Sequence, residues 1–239
     1  MPLPKIATPT YELELPSTRK PIHYRPFLVK EEKLLVLALE SEDIKDITNA
    51  IKNVIKSCIK TRGIKVENLP TFDIEYLFLN IRGKSVGEDI EVNLICPDDE
   101  KTQVPVTISI DDVQIKRTEG HTNKIKLDSS LMMEMKYPSL GEFIKNNFDF
   151  KEENVMDQSF DLIASCIDKI YNEEEVWVAA DCTKKEIATF LESMNTTQFK
   201  EIEKFFETMP KLSHKVKITN PNTKVESEVV MEGLSSFFG

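Results

Sequence analysis

Along the chain the spacing of apolar positions switches between a period of two and a period near 3.6, and the switches mark out the elements. Tyr11 to Leu15 alternates, Pro16 to Pro21 supplies turn residues, and Ile22 to Leu28 alternates again, which predicts a β-hairpin. From Lys30 the period changes. Leu34, Leu35, Leu37 and Ala38 follow a first turn carrying Glu31 and Glu32, acids suited to a helix N-terminus. Ile44, Ile47, Ile51, Val54, Ile55 and Cys58 form one face of a four-turn helix, capped by Ser41 or Asp43 and closed before Gly63. A third helix begins at Pro70, with Thr71 or Asp73 near its start, and its body to Arg82 is apolar enough to be buried on most sides.

The middle of the chain reads as β. Val86 to Cys96 alternates into a polar tip and is answered by Val104 to Ile110; two short strands, Asp112–Lys116 and Lys124–Leu127, flank a loop at residues 118–123. After Pro138 the helical period returns. A short helix is expected from Ser139. A longer one, Asp157 to Tyr171, puts Phe160, Ile163, Cys166, Ile167 and Ile170 on one face. A third spans Thr183 to Ser193, capped by Asp181 or Thr183, with Ile187, Phe190 and Leu191 inward. Thr196 or Thr197 caps a fourth, lined by Phe199, Ile202, Phe205 and Phe206 and stopped by Pro210. A last hairpin pairs His214–Ile218 with Val225–Val230 across a turn at Asn220-Pro-Asn-Thr-Lys.

The sum is an α+β chain of helical bundles combined with β-hairpins. We divide it into an extended N-terminal arm at residues 1–9, an N-terminal α+β region with two hairpins at 10–135, and a C-terminal helical region at 136–239 closed by a hairpin and an apolar tail. Cys96-Pro-Asp-Asp-Glu-Lys and Asn220-Pro-Asn-Thr-Lys resemble each other as hairpin tips, which raises the expectation of two related halves joined near residues 128–140.

Composition narrows the chemistry. A formal charge of −10 and a pI near 5.0 set the chain against nucleic acid, whose phosphates need a basic face. Four cysteines without a CxxC pair suggest reduced, cytosolic usage. The N-terminus lacks the pattern of a secretory signal, and no stretch has the length of a membrane span. With seven glycines there is no Gly-rich phosphate cradle, and no GxSxG or HExxH motif occurs; His23, His121 and His214 are scattered. The expectation is no enzyme, no cofactor and no small-molecule substrate. The single cysteine at the Cys96-Pro97 tip cannot by itself complete a four-ligand zinc site, so the hairpins are read as degenerate, metal-free ribbons.

Surfaces for other proteins are the remaining candidates. The sequence ends Leu234-Ser-Ser-Phe-Phe-Gly239, where chain ends are usually polar. Leu234, Phe237 and Phe238 are therefore either tucked into the chain's own core or offered to a partner, with self-packing slightly favoured because exposed apolar patches burden a monomer. Pro2 and Pro4 in the arm, and Trp177, the only tryptophan, complete the candidate contact residues, although a lone tryptophan among valines is more often part of the core.

Several stretches together resemble a known family. Pro2-Leu-Pro-Lys-Ile, Tyr24-Arg-Pro-Phe-Leu-Val-Lys-Glu-Glu-Lys33, Phe72-Asp-Ile-Glu-Tyr-Leu-Phe-Leu-Asn-Ile-Arg-Gly-Lys-Ser-Val-Gly87 and the terminal Leu234–Gly239 are similar to the T-even-type tailed-phage baseplate proteins associated with the baseplate hub. The resemblance runs nearly end to end. It implies a late, non-enzymatic protein of tail morphogenesis whose partners are other baseplate hub proteins, working in the host cytoplasm during assembly. Two modes follow from it: a chaperone-like factor promoting hub assembly, or a structural subunit retained in the virion tail. Relatives are expected to carry Cys-Pro-x-Cys knuckles at the hairpin tips; here Asp99 stands in the second position and no cysteine lies near Asn220, so no metal site is carried over. A degenerate zinc-ribbon module binding metal or nucleic acid is the alternative from another class.

Overall fold

The computed structural model describes residues 6–41, 43–141 and 155–237. Strands β1 (Tyr11–Glu14) and β2 (Pro21–Tyr24) form the first hairpin, with Leu13 opposite Ile22. Helices α1 (Val29–Glu40), α2 (Ile44–Cys58) and α3 (Thr71–Val86) follow. Asp43 caps α2, its side chain accepting from the amides of Lys45 and Asp46. Hairpin β3 (Asp89–Ile95) and β4 (Gln103–Ser109) comes next. Strand β5 (Gln114–Lys116) joins β10 (Lys211–Thr219), which also pairs with β11 (Glu226–Glu232). The two short strands around residues 118–123 therefore diverge, because β6 (Lys124–Lys126) enters a different sheet, ordered β6, β7 (Met132–Met135), β8 (Ile167–Tyr171), β9 (Val176–Val178). Helices α4 (Val155–Cys166), α5 (Lys184–Glu192) and α6 (Thr196–Thr208) pack with this sheet. This is an α+β fold. The short helix expected from Ser139 lies mostly outside the described residues.

Two readings are corrected. The helix expected to Tyr171 stops at Cys166 and turns directly into β8, which pairs with β7 on one side and β9 on the other. Ile167 and Ile170 fit an i, i+3 helix face, yet they are β-branched, and a central strand position with partners on both sides outweighs helical spacing. The cap of α6 is Asn195, one residue earlier than expected. Its carboxamide oxygen accepts from the amides of Thr197 at 2.9 Å and Gln198 at 3.0 Å, while the Gln198 side chain accepts from the Asn195 amide at 3.0 Å.

Buried side chains gather in two cores. The larger draws on β1, β2, α1, α2, α3, β3, β4, β10 and β11, with Leu77, Leu79 and Ile81 of α3 fully enclosed. The smaller unites Ile125, Met133, Met135, Ile163, Ile167, Leu191, Ile202 and Phe205. The larger core takes its residues from Leu13 to Val113, from Leu140 and from Leu212 to Phe237, and the smaller takes its residues from Ile125 to Met135 and from Ile163 to Phe205. An aromatic stack bridges them. Tyr137 meets Phe72 of α3 edge-on at 5.1 Å and stacks on Phe205 of α6 at 5.6 Å, while His121 hydrogen-bonds the Tyr137 hydroxyl at 3.0 Å and Thr208 at 2.9 Å. Burial lowers the His121 pKa, favouring the neutral ring.

Three hairpin tips share one turn. Leu15-Pro16, Cys96-Pro97 and Asn220-Pro221 each begin a loop whose fifth residue, Arg19, Glu100 or Lys224, has a positive φ near 54–66° and donates its amide to the first residue's carbonyl. Proline presets the second position and the left-handed fifth residue turns the strand back.

Candidate interaction surfaces

The C-terminal turn, Leu234–Phe237, is enclosed by the chain itself. Leu234 is 1% and Phe237 0% exposed, both within the larger core. Glu75 of α3 holds this turn through the Leu234 amide at 3.4 Å. Phe238, Pro2 and Pro4 lie outside the described residues. Trp177 sits in β9, an edge strand, and is 41% exposed.

The β3–β4 and β10–β11 tips meet. The Asn220 carboxamide, itself buried, donates to both carboxylate oxygens of Asp98 at 3.1 Å and to Asp99 at 3.0 Å; Thr223 donates to Asp98, and Asn222 donates to Thr102 at 3.0 Å. Hydrogen bonds from Thr102, by side chain and amide, and from Asn220 hold the Asp99 carboxyl well below its usual range; those from Thr223 and Asn220 do the same for Asp98. Burial and the two neighbouring carboxylates push the Cys96 thiol up. Cys96, Asp99, Asn220 and Thr223 thus occupy the first and fourth positions of two facing knuckles, joined by amide–carboxylate bonds. Among the described residues no group of three or more His, Cys, Asp or Glu is arranged to hold a metal ion. No disulfide joins any of the four cysteines.

Among the described residues, helix α1 carries a cluster of exposed apolar side chains. Glu31, Leu35 and Ala38 face inward, where buried Glu31 pairs with buried Arg25 at 2.9 Å and accepts from the Leu28 amide at 2.8 Å. Val29 is 80% exposed, Leu37 53% and Val36 49%, with Leu34 and Leu39 close behind. Charged Lys30, Glu32, Lys33 and Glu40, all exposed, are interleaved with them. Leu34 to Leu39 is an unbroken apolar run whose six successive helical residues wrap the whole circumference, a pattern that by itself points to burial on every side; the open side is a result of the fold.

No helix among the described residues is long and apolar enough to cross a membrane. A family model described as T4 bacteriophage base plate protein matches residues 8–239. No curated protein and no solved structure matches the chain.

Proposed function

Because the chain belongs to the family of T4 bacteriophage base plate proteins, we propose that it promotes assembly of the baseplate hub through protein–protein contacts, as a chaperone-like factor without an active site. The baseplate role comes with family membership; action at the hub, in the host cytoplasm, and release afterwards are the proposal. One observation carries it: the outward face of α1. Permanent interfaces resemble a core cut in half and are strongly apolar, whereas transient ones mix apolar and charged groups. On α1, Val29, Val36 and Leu37 alternate with Lys30, Glu32, Lys33 and Glu40. Such a surface can cover an apolar patch on a hub protein and still be soluble when released.

The test is a phage carrying Val36→Lys and Leu37→Lys together. Both side chains are more than 45% exposed, so the isolated variant should melt within about 2–3 °C of the parent. Hub assembly should fail. Normal hubs from a correctly folded variant would refute the role of α1.

A further inference from the structure

We propose that the edge of β9 that no described strand pairs, at Val176–Trp177–Val178, receives an extended segment of another protein chain by strand addition, and that this segment is apolar at alternate positions with basic residues at the end lying against the Glu173–Glu175 tip. The inference rests on the reading of the chain as a protein that works through contacts with other proteins, and it names the class of partner for one edge.

Pairing geometry settles which groups are open. Asn172 and Glu175 close the β8–β9 hairpin, the Asn172 amide donating to the Glu175 carbonyl at 3.0 Å, and Trp177 lies opposite Ile170. In an antiparallel ladder successive residues alternate between bonding the partner strand and facing away. Counting from the Asn172–Glu175 pair, Trp177 bonds β8, and the backbone groups of Val176 and the Val178 amide point to the outer edge. The Val178 carbonyl is engaged by the helical turn Ala179–Asp181 that it caps, with the Cys182 thiol beside it at 3.5 Å.

The two edges of the sheet differ in kind. At the other edge, β6 presents exposed Lys124 and Lys126, the charges that proteins use to block edge pairing. Strand β9 presents two valines and a tryptophan, all exposed, with no charge among them. An unblocked apolar edge is a template for another strand.

Charge selects the occupant. Glu173, Glu174 and Glu175 are exposed at the start of β9 and Asp181 is exposed beyond its end, with Lys184 and Lys185 following on α5. Antiparallel pairing with a second copy about Trp177 would bring each acidic tip towards Asp181 of the other copy, which disfavours self-association. A segment with lysine or arginine beside the glutamates gains where a second copy loses.

Val178 supplies a clean probe. Its φ is −83°, close to the value proline imposes, and its amide is not part of the β8–β9 ladder, so Val178→Pro removes an edge donor while leaving the hairpin bonded. The full chain is mixed with two synthetic peptides of alternating valine and threonine, one ending in lysines and one in glutamates. Amide exchange at Val176 and Val178 and the emission of Trp177 report binding. The lysine-ended peptide should slow exchange at both amides and shift the emission to the blue. The glutamate-ended one should bind less well, and Val178→Pro should weaken binding about tenfold, the equivalent of one lost hydrogen bond, at an unchanged melting temperature. If the variant melts early, Val176→Lys with Val178→Lys provides the same loss by edge charge. The proposal is overturned if neither peptide protects the amides, if both bind equally, if the variants bind as the parent does, or if the chain protects itself as its concentration rises. Any of these results would leave the α1 test of hub assembly standing on its own.

Discussion

The carboxylate of Glu75, on the inward side of α3, accepts a hydrogen bond from the amide of Leu234 at 3.4 Å, tying the longest helix of the larger core to the last turn of the chain. Burial pushes the Glu75 pKa up to about 7, and the Leu234 amide offsets only part of that effect. A carboxyl whose folded pKa exceeds its unfolded value of about 4.3 stabilises the fold fully below that value. The contribution is lost as pH rises through 7. Its size follows from the shift, on the order of 2–4 kcal/mol. Glu75→Gln should therefore flatten the fall in stability between about pH 4 and pH 7 and raise the melting temperature at pH 8. An unchanged pH profile in urea denaturation would remove Glu75 from this role.

Phe237 is fully enclosed and Leu234 nearly so. Phe237→Ala should cost about 3–5 kcal/mol and Leu234→Ala about 2–5 kcal/mol, because each leaves a cavity in a packed core. Denaturant melts of the isolated chain measure both. Losses below about 0.5 kcal/mol, typical of surface positions, would mean that these side chains are not core in solution.

The contact between hairpin tips depends on one buried carboxamide. Asn220→Ala removes its donors to Asp98 and Asp99 and should cost about 1–3 kcal/mol, with faster amide exchange at residues 98–102 and 220–225. Asp98 and Asp99 titrate below their usual range, so the contribution they share is present above the unfolded carboxyl pKa of about 3.9 and is lost as pH falls below it. The parent should therefore lose tip protection in acid, and the variant should have little left to lose.

The Arg25–Glu31 pair is buried on both sides. Burial opposes the charge on Glu31, but the Arg25 guanidinium and the Leu28 amide outweigh it and its pKa falls. Glu31→Ala leaves Arg25 uncompensated and should cost about 3–5 kcal/mol; replacing both residues by methionine should cost much less. A double-mutant cycle separates the two outcomes, and equal losses would deny the pairing.

Much of this structure could be read from the chain. The hairpins at residues 11–24 and 89–109 and helices α2, α3 and α5 follow from period and punctuation, since each keeps one face on a core. Asp43 and Thr183 cap where their spacing placed them. Local pattern failed where distant pairing decided: Ile167–Tyr171 becomes a strand only because β7 and β9 flank it, and Met132–Met135 carries little strand preference of its own. Glu31 reads as an ordinary first-turn acid, and only the fold brings Arg25 to it. The tip resemblance was visible at Cys96 and Asn220, while its third copy at Leu15 and the contact between tips are properties of the folded chain. Of the candidate contact residues, the sequence left Phe237 open between core and partner, and its burial is a property of how the last hairpin returns to α3. The apolar run from Leu34 to Leu39 was legible, but which side of α1 stays exposed was not, because a helix apolar all round reads as buried and only the packing of Glu31, Leu35 and Ala38 sets its open side.

The most direct test of action in hub assembly is quantitative mass spectrometry of purified mature tails beside isolated hub intermediates. The chain is expected in the intermediates and absent from mature tails. Fixed stoichiometry in mature particles would contradict the chaperone-like mode and make the chain a retained subunit of the baseplate.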